Sequence, residues 1–296
     1  MKRQRLKCYT VIDRQVQKMR ITVLTEDKAP SDNRLFYEHG LSLYCESRGY
    51  RFLFDMGQSD VFIKNAALLG IDLQSVDFAV ISHAHDDHGG GLTHFLDLNT
   101  KAVIYASRHI TGEFYMQRFC RKEYAGLSPD IFKKHQQRFV FLDHSAEVVP
   151  GFEVLTNLNR YFAVPAFCRL MKEKKDGRME SDLLLHEIIL AVKEEDGVKV
   201  LTGCSHHGVN NILANAIKEY GRISAFVGGF HMAGTKYAGT GLRLYAESPG
   251  KIKKTCLQLG GIPDVYTGHC TGERAFGILQ KCCNAQYLTV GQTFML

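Results

Sequence analysis

The sequence has no Cys-x-x-Cys pair, no internal repeat, no low-complexity tract and no Pro-rich linker, and it holds only six prolines in 296 residues. The first absence disfavours structural zinc knuckles, and the others argue against repeat arrays and strings of tethered modules. No stretch is long and apolar enough to span a bilayer, and the basic start Met1 to Cys8 is not followed by an apolar run of signal-peptide length. A cytoplasmic protein without membrane contact is therefore expected. No basic stripe interleaved with aromatics occurs, and 37 Lys and Arg against 31 Asp and Glu give a formal charge of only +6. That bias suits a small anionic ligand and gives no reason to expect nucleic acid. Nine cysteines (8, 45, 120, 168, 204, 256, 270, 282, 283) form an odd set in a chain too large to need stapling. Reduced thiols are expected rather than a disulfide framework.

What is present, 45% hydrophobic and 23% charged residues, is the balance of a globular chain able to bury a large core. One domain over 1–296 is the expected organisation, since α/β units often run to roughly 200 to 250 residues. Short Val, Ile and Phe-rich runs read as strands: 51–54, 78–82, 102–105, 183–192, 198–201, 225–227 and 264–266. Helix-period stretches lie between them at 59–69, 91–98, 211–220 and 248–259, the last opened by Ser248-Pro249. The turn signal Asp196-Gly197 makes 183–192 and 198–201 an antiparallel hairpin, so the α/β sheet is mixed. The polar and basic segment 108–138 reads either as a cap inserted over a site or as a solvated basic surface helix, and 172–178 as an exposed loop.

The chemistry follows the strands. Five of them run into loops rich in Gly and in metal-ligand residue types: Asp55-Met-Gly57, His83-Ala-His-Asp-Asp-His88-Gly-Gly-Gly91, Thr202-Gly-Cys-Ser-His206-His207, Gly228-Gly-Phe-His231 and Thr267-Gly-His269-Cys270. Sites in α/β sheets are built at such strand ends. A lone histidine is more often structural, and His39, His94, His135 and His186 are set aside on that ground. His83, His85, Asp87 and His88 within six residues are another matter, because burying such groups unpaired costs several kcal/mol. His83 and His85 at i, i+2 share one side of an extended segment, and Asp87 with His88 diverges from it, a pattern suited to two neighbouring metals.

His83-x-His85-x-Asp87-His88 resembles the signature of the metallo-beta-lactamase superfamily, with Asp55 in the place of its upstream strand-end Asp. Glu38-His39-Gly-Leu-Ser42, Asn65 to Leu73, Gly203-Cys-Ser-His206, Gly228-Gly-Phe-His231 and Gly268-His269-Cys270-Thr-Gly272 are similar to its dihydropterin-methyl-ribofuranosylaminobenzene-phosphate synthase branch, named from the methanopterin pathway. The resemblance implies a four-layer αβ/βα sandwich with two mixed sheets and two divalent metal ions, zinc before manganese or iron. It implies His83, His85 and His206 on the first metal, and Asp87, His88 and His269 on the second. Ser107 stands where the family's usual third histidine is expected, with only His109 close, and Cys204 stands where a bridging Asp is expected, either as a thiolate ligand or as a small packing residue. Asp87 and His231 are the expected catalytic residues, His231 as general acid or oxyanion holder. Asp55 is expected to fix a histidine tautomer, and Glu38 with His39 to give structural support. His207 and Cys270 are expected to point away. A dinuclear metallohydrolase acting on a phosphoester or cyclic ester is the function so implied, the metals lowering the pKa of water from 15.7 toward about 7. A synthase releasing pyrophosphate and a binding or regulatory protein without turnover are its rivals.

Overall fold

In the computed structural model, which describes residues 18–118, 121–236 and 243–296, two seven-stranded sheets lie face to face. The basic start Met1 to Cys8 and Cys120 fall outside the described residues. In spatial order the first sheet is Thr293–Met295, Arg20–Thr25, Ser42–Ser47, Tyr50–Phe54, Phe78–Val80, Val103–Ser107 and Phe139–Leu142. It is antiparallel up to Tyr50–Phe54 and parallel from there on. The second sheet is Gln286–Tyr287, Asp264–Gly268, Ile223–Gly229, Gly197–Leu201, Ile189–Glu194, Phe152–Leu155 and Ala146–Val149. It too is parallel over part of its width and antiparallel over the rest.

The period of two along each strand builds the layers. Phe52 and Phe54 face the second sheet in a core shared with Phe78, Val80, Phe152, Leu190 and Val227, and Phe52 stacks on Phe78 with centroids 5.0 Å apart. Leu53 between them, with Ala79 and Ile104, faces outward and is covered by Phe62 and Ala66 of helix Val61–Leu68 and by Phe95 of helix Leu92–Leu98. On the far side Ala191, Val200 and Phe226 are covered by the helices Val209–Tyr220, Pro249–Leu259 and Glu273–Cys283. Strands buried on both faces need apolar residues at every position, which is why they read as short unbroken runs. The result is the expected αβ/βα sandwich with two mixed sheets. The Asp196-Gly197 hairpin and the Ser248 cap, whose hydroxyl accepts from the Lys251 amide, are both present.

Four local readings need correction. The segment 183–188 is not strand: Ile189–Glu194 begins only after an irregular stretch, buried at Leu184 and from His186 on, whose polar groups serve the site described next. The segment 108–138 is no surface helix, since Glu113–Arg118 and Arg121–Tyr124 form a hairpin and, among its described residues, only Pro129–Lys134 is α-helical. That hairpin joins Met171–Lys175 and Arg178–Ser181, read from sequence as a loop, in a four-stranded sheet. Finally, Cys256 and Cys282 are joined as a disulfide, against the expectation of reduced thiols. The helices that carry them lie side by side and bring their Cα atoms to 5.9 Å, within bridging range.

Candidate metal centre

The C-terminal ends of the parallel strands in both sheets open onto one cavity of about 960 Å³. The chain leaves Tyr50–Phe54 through Asp55, held at φ 60°. Its buried carboxylate accepts the Ser82 amide and hydroxyl, each at 2.7 Å, and the Nδ1 proton of His88 at 2.6 Å. Because the Ser82 hydroxyl donates to Asp55, its oxygen accepts from His83 Nδ1 at 2.8 Å. One carboxylate therefore fixes two imidazoles with the proton on Nδ1, leaving both Nε2 lone pairs facing inward.

Those lone pairs meet others. His83 Nε2 lies 3.3 Å from His206 Nε2, with the His85 ring against both. His88 Nε2 lies 3.2 Å from both Cys204 Sγ and His269 Nε2, and Asp87 Oδ2 is 3.2 Å from His269 Nε2. Ligand atoms of Asp87, His88, Cys204 and His269 lie within 4.8 Å of one another, as do those of His83, Cys204 and His206. Cys204 thus stands between two imidazole sets. Converging lone pairs with their backs protonated are a donor arrangement that fits divalent cations.

Electrostatics separates the two sets. Burial, reinforced by neighbouring histidines, pushes His83 and His206 well below the usual imidazole range and His85 down to about 3, so all three stay neutral. Around Asp87 the opposite holds. Burial opposes its ionisation, but His88, His269 and His39 hold its carboxyl well below the ordinary range. Burial likewise opposes charge on His269, yet hydrogen bonds to Asp27 and Asp87 push it well above that of a free imidazole.

Asp27 was not singled out in the sequence. It accepts from His269 Nδ1 at 2.5 Å and from His39 Nδ1 at 2.8 Å, and His39 Nε2 reaches Asp87 Oδ2 at 3.3 Å. Its signal was an acid at the end of an unrecognised strand, Arg20–Thr25. His39 therefore belongs to the site as well as supporting it, and its hydrogen bonds to Asp27 and Asp87 raise it to about 10. Glu38 plays the supporting part expected: it accepts the Gln58 and Ser59 amides at 3.0 and 3.1 Å, ahead of helix Val61–Leu68.

His186, set aside in the sequence, is buried beside His85, accepts the Ala84 amide at 3.2 Å and bonds Asp182 at 2.9 Å. It thereby holds the backbone between His83 and His85. Glu187 next to it accepts the His206 and His207 amides at 2.5 and 2.8 Å. His207 turns to Glu187 and away from the cavity, as expected. Ser107 bonds the Leu185 carbonyl and His109 is exposed, so neither joins the cluster. Cys270, expected to point away, points in: its Sγ lines the cavity and accepts the His231 amide at 3.2 Å. Burial opposes a thiolate there, but Cys204 and the neighbouring imidazoles of His231 and His269 hold Cys270 well below the thiol range, while burial pushes Cys204 up. His231, at φ 50°, packs edge-on against Phe167 and tilted against His206, and neither of its ring nitrogens has a hydrogen-bond partner.

The cavity walls carry Lys28, Arg118 and Arg243 together with Tyr37, Tyr124 and Tyr287. Arg118 and Tyr124 come from the hairpin within 108–138, which thus lines the cavity.

The family model of the metallo-beta-lactamase superfamily matches residues 39–159. The chain is 30% identical to a 7,8-dihydropterin-6-methyl-4-(beta-D-ribofuranosyl)-aminobenzene-5'-phosphate synthase of Methanocaldococcus jannaschii, covering 88% of this chain and 90% of that one. Among solved structures it is similar to Tm1679, a metal-dependent hydrolase of the beta-lactamase superfamily, with a TM-score of 0.77 and 30% identity over 94% of this chain and 99% of the other. It shares its fold with Zn(2+)-bound PqqB from Methylobacterium extorquens, with a TM-score of 0.58 and 13% identity over 94% and 100% of the two chains.

Proposed function

As a member of the metallo-beta-lactamase superfamily, the chain is, we propose, a metal-dependent hydrolase of an anionic small molecule of phosphoester or cyclic-ester type. One observation carries the reading: two inward-facing sets of imidazole and carboxylate donors share the floor of a cavity whose walls carry three cationic side chains. His83, His85 and His206 would hold one divalent cation and Asp87, His88 and His269 a second, with Cys204 between them. Imidazole and thiolate donors favour zinc. Cations bound there supply Lewis acidity and a water of lowered pKa.

The chain's own residues do the rest. Asp55 and Ser82 keep the protons of His83 and His88 on Nδ1, so both present unprotonated Nε2 atoms without a reorganisation cost. Asp27 and Asp87 bracket the proton on His269, and loading the second set displaces that proton into solvent. Lys28, Arg118 and Arg243 attract a phosphate-bearing molecule. His85→Ala and Asp87→Ala should each lose bound metal and phosphoester turnover together. Retained turnover in either variant contradicts the assignment.

A second reading, favoured by the near full-length similarity to the jannaschii protein, is a synthase that joins a pterin-methyl diphosphate to a ribofuranosylaminobenzene phosphate. The volume near 960 Å³ and its three tyrosines have room for two partly aromatic reactants. Pyrophosphate release from the diphosphate, measured with and without the arylamine, separates the two. A hydrolase needs only water, and a synthase needs the acceptor.

A further inference from the structure

Cys270 and His231 lie beside the two donor sets and belong to neither. Sγ of Cys204, Sγ of Cys270 and a ring nitrogen of His231 lie within 4.8 Å of one another. A tetrahedral zinc with Zn–S near 2.3 Å and Zn–N near 2.0 Å spreads its ligand atoms by roughly 3.5 to 3.8 Å, so this span needs only side-chain adjustment. Three further observations point to an occupant. Both ring nitrogens of His231 are buried without a hydrogen-bond partner, although a buried imidazole ordinarily spends at least one of them. The His231 backbone is held at φ 50°, an uncommon conformation for a residue with a side chain, which persists only where its surroundings impose it. The His231 amide donates to Cys270 Sγ at 3.2 Å, the kind of N–H···S contact that stabilises thiolate ligands. All three residues line the cavity, so a fourth coordination position is open to solvent or substrate.

We propose that Cys204, His231 and Cys270 form a third cation site, selective for a thiophilic divalent ion such as zinc, in the same cavity as the two imidazole and carboxylate sets. It takes the place of the proton-donor role that the sequence suggested for His231. It shares Cys204 with the dinuclear reading but does not require that reading to hold, because Cys270 and His231 contribute nothing to the other two sets.

The test uses the full chain, stripped of metal and titrated with cadmium or cobalt. The readouts are the thiolate-to-metal charge-transfer absorbance and the metal bound per chain by mass spectrometry. Wild type should bind about three equivalents with a strong thiolate band. Cys270→Ser should lose about one equivalent and roughly half of the band, and His231→Gln about one equivalent with the band shifted. Asp87→Asn should lose a different equivalent and keep the band, so that failure of the dinuclear centre shows up separately. Should Cys270→Ser fold poorly, X-ray absorption of the zinc-loaded wild type must show a sulfur shell at about 2.3 Å with more than one sulfur per chain. If Cys270→Ser and His231→Gln both retain the wild-type stoichiometry and band, or if only one sulfur per chain is found, the site does not exist and His231 reverts to a proton donor.

Discussion

Asp27 shows how much of this cluster rests on residues outside the two donor sets. Its two oxygens fix His269 and His39, and through them Asp87. Asp27→Asn should weaken metal binding at the second set by about 10- to 100-fold while leaving the first set unchanged. Competition with a chromophoric chelator reads this directly, and equal weakening at both sets counts against it. The same residues predict a pH profile for the metal-stripped protein. His85 titrates near 3 when folded against 6.5 when unfolded, so below 6.5 the unfolded chain takes up a proton the native state refuses. Stability is lost as pH falls from 6.5 toward 3. His39 has the opposite sign: held near 10 by Asp27 and Asp87, it contributes fully below 6.5 and its contribution fades as pH rises toward 10. Denaturant melts across this range should show both limbs, and His39→Gln should flatten the alkaline one alone. At this scale the sequence made His83, His85, Asp87, His88 and His206 legible, because close spacing in one loop or a Gly-rich strand end marks them. Asp27 and His186 were not legible, since each is a single residue whose meaning comes from a partner far along the chain.

Elements place the site through a few close approaches. Gly203, two residues past the strand Gly197–Leu201 of the second sheet, lies against Ser82 of the first, and a Cβ there would stand 2.1 Å from the Ser82 hydroxyl. That hydroxyl relays Asp55 to His83. Gly203→Ala should therefore cost about 10-fold or more in affinity at the first set, and metal titration next to Asp87→Asn, which affects the other set, localises the loss. Doubly buried strands were readable from their unbroken apolar runs, and Asp196-Gly197 from its turn chemistry. The hairpins at 113–124 and 171–181 were not, because their strands are mostly polar and short, and charge density there suggests a solvated helix or loop. The stretch 183–188 was misread for the converse reason: an apolar run need not be a strand when its backbone is occupied elsewhere, as in the Ile188 amide bonding the Ser82 carbonyl at 2.7 Å.

Across the whole molecule the donors divide between the sheets. His83, His85, Asp87 and His88 follow a strand of the first, whereas Cys204, His206 and His269 follow strands of the second. Cations that bind the folded arrangement but not the unfolded chain stabilise it by about 2.7 kcal/mol at a hundredfold excess over the dissociation constant. Removal of metal by a chelator should lower the melting temperature by several degrees and broaden the transition. Calorimetry with and without chelator checks this, and an unchanged melting temperature contradicts it. The architecture was legible because buried-strand periodicity and the loop signature agreed. The pairing of donors across the interface came from the family resemblance and not from spacing, because it depends on how two distant stretches of chain are brought together.

The division has a consequence for biogenesis. On the dinuclear reading neither half of the chain, emerging alone during synthesis, carries either ligand set in full, so tight metal binding waits until the later strands have docked. Full metal affinity would in this way report completed assembly: the two sheets must close on each other before either proposed set is whole.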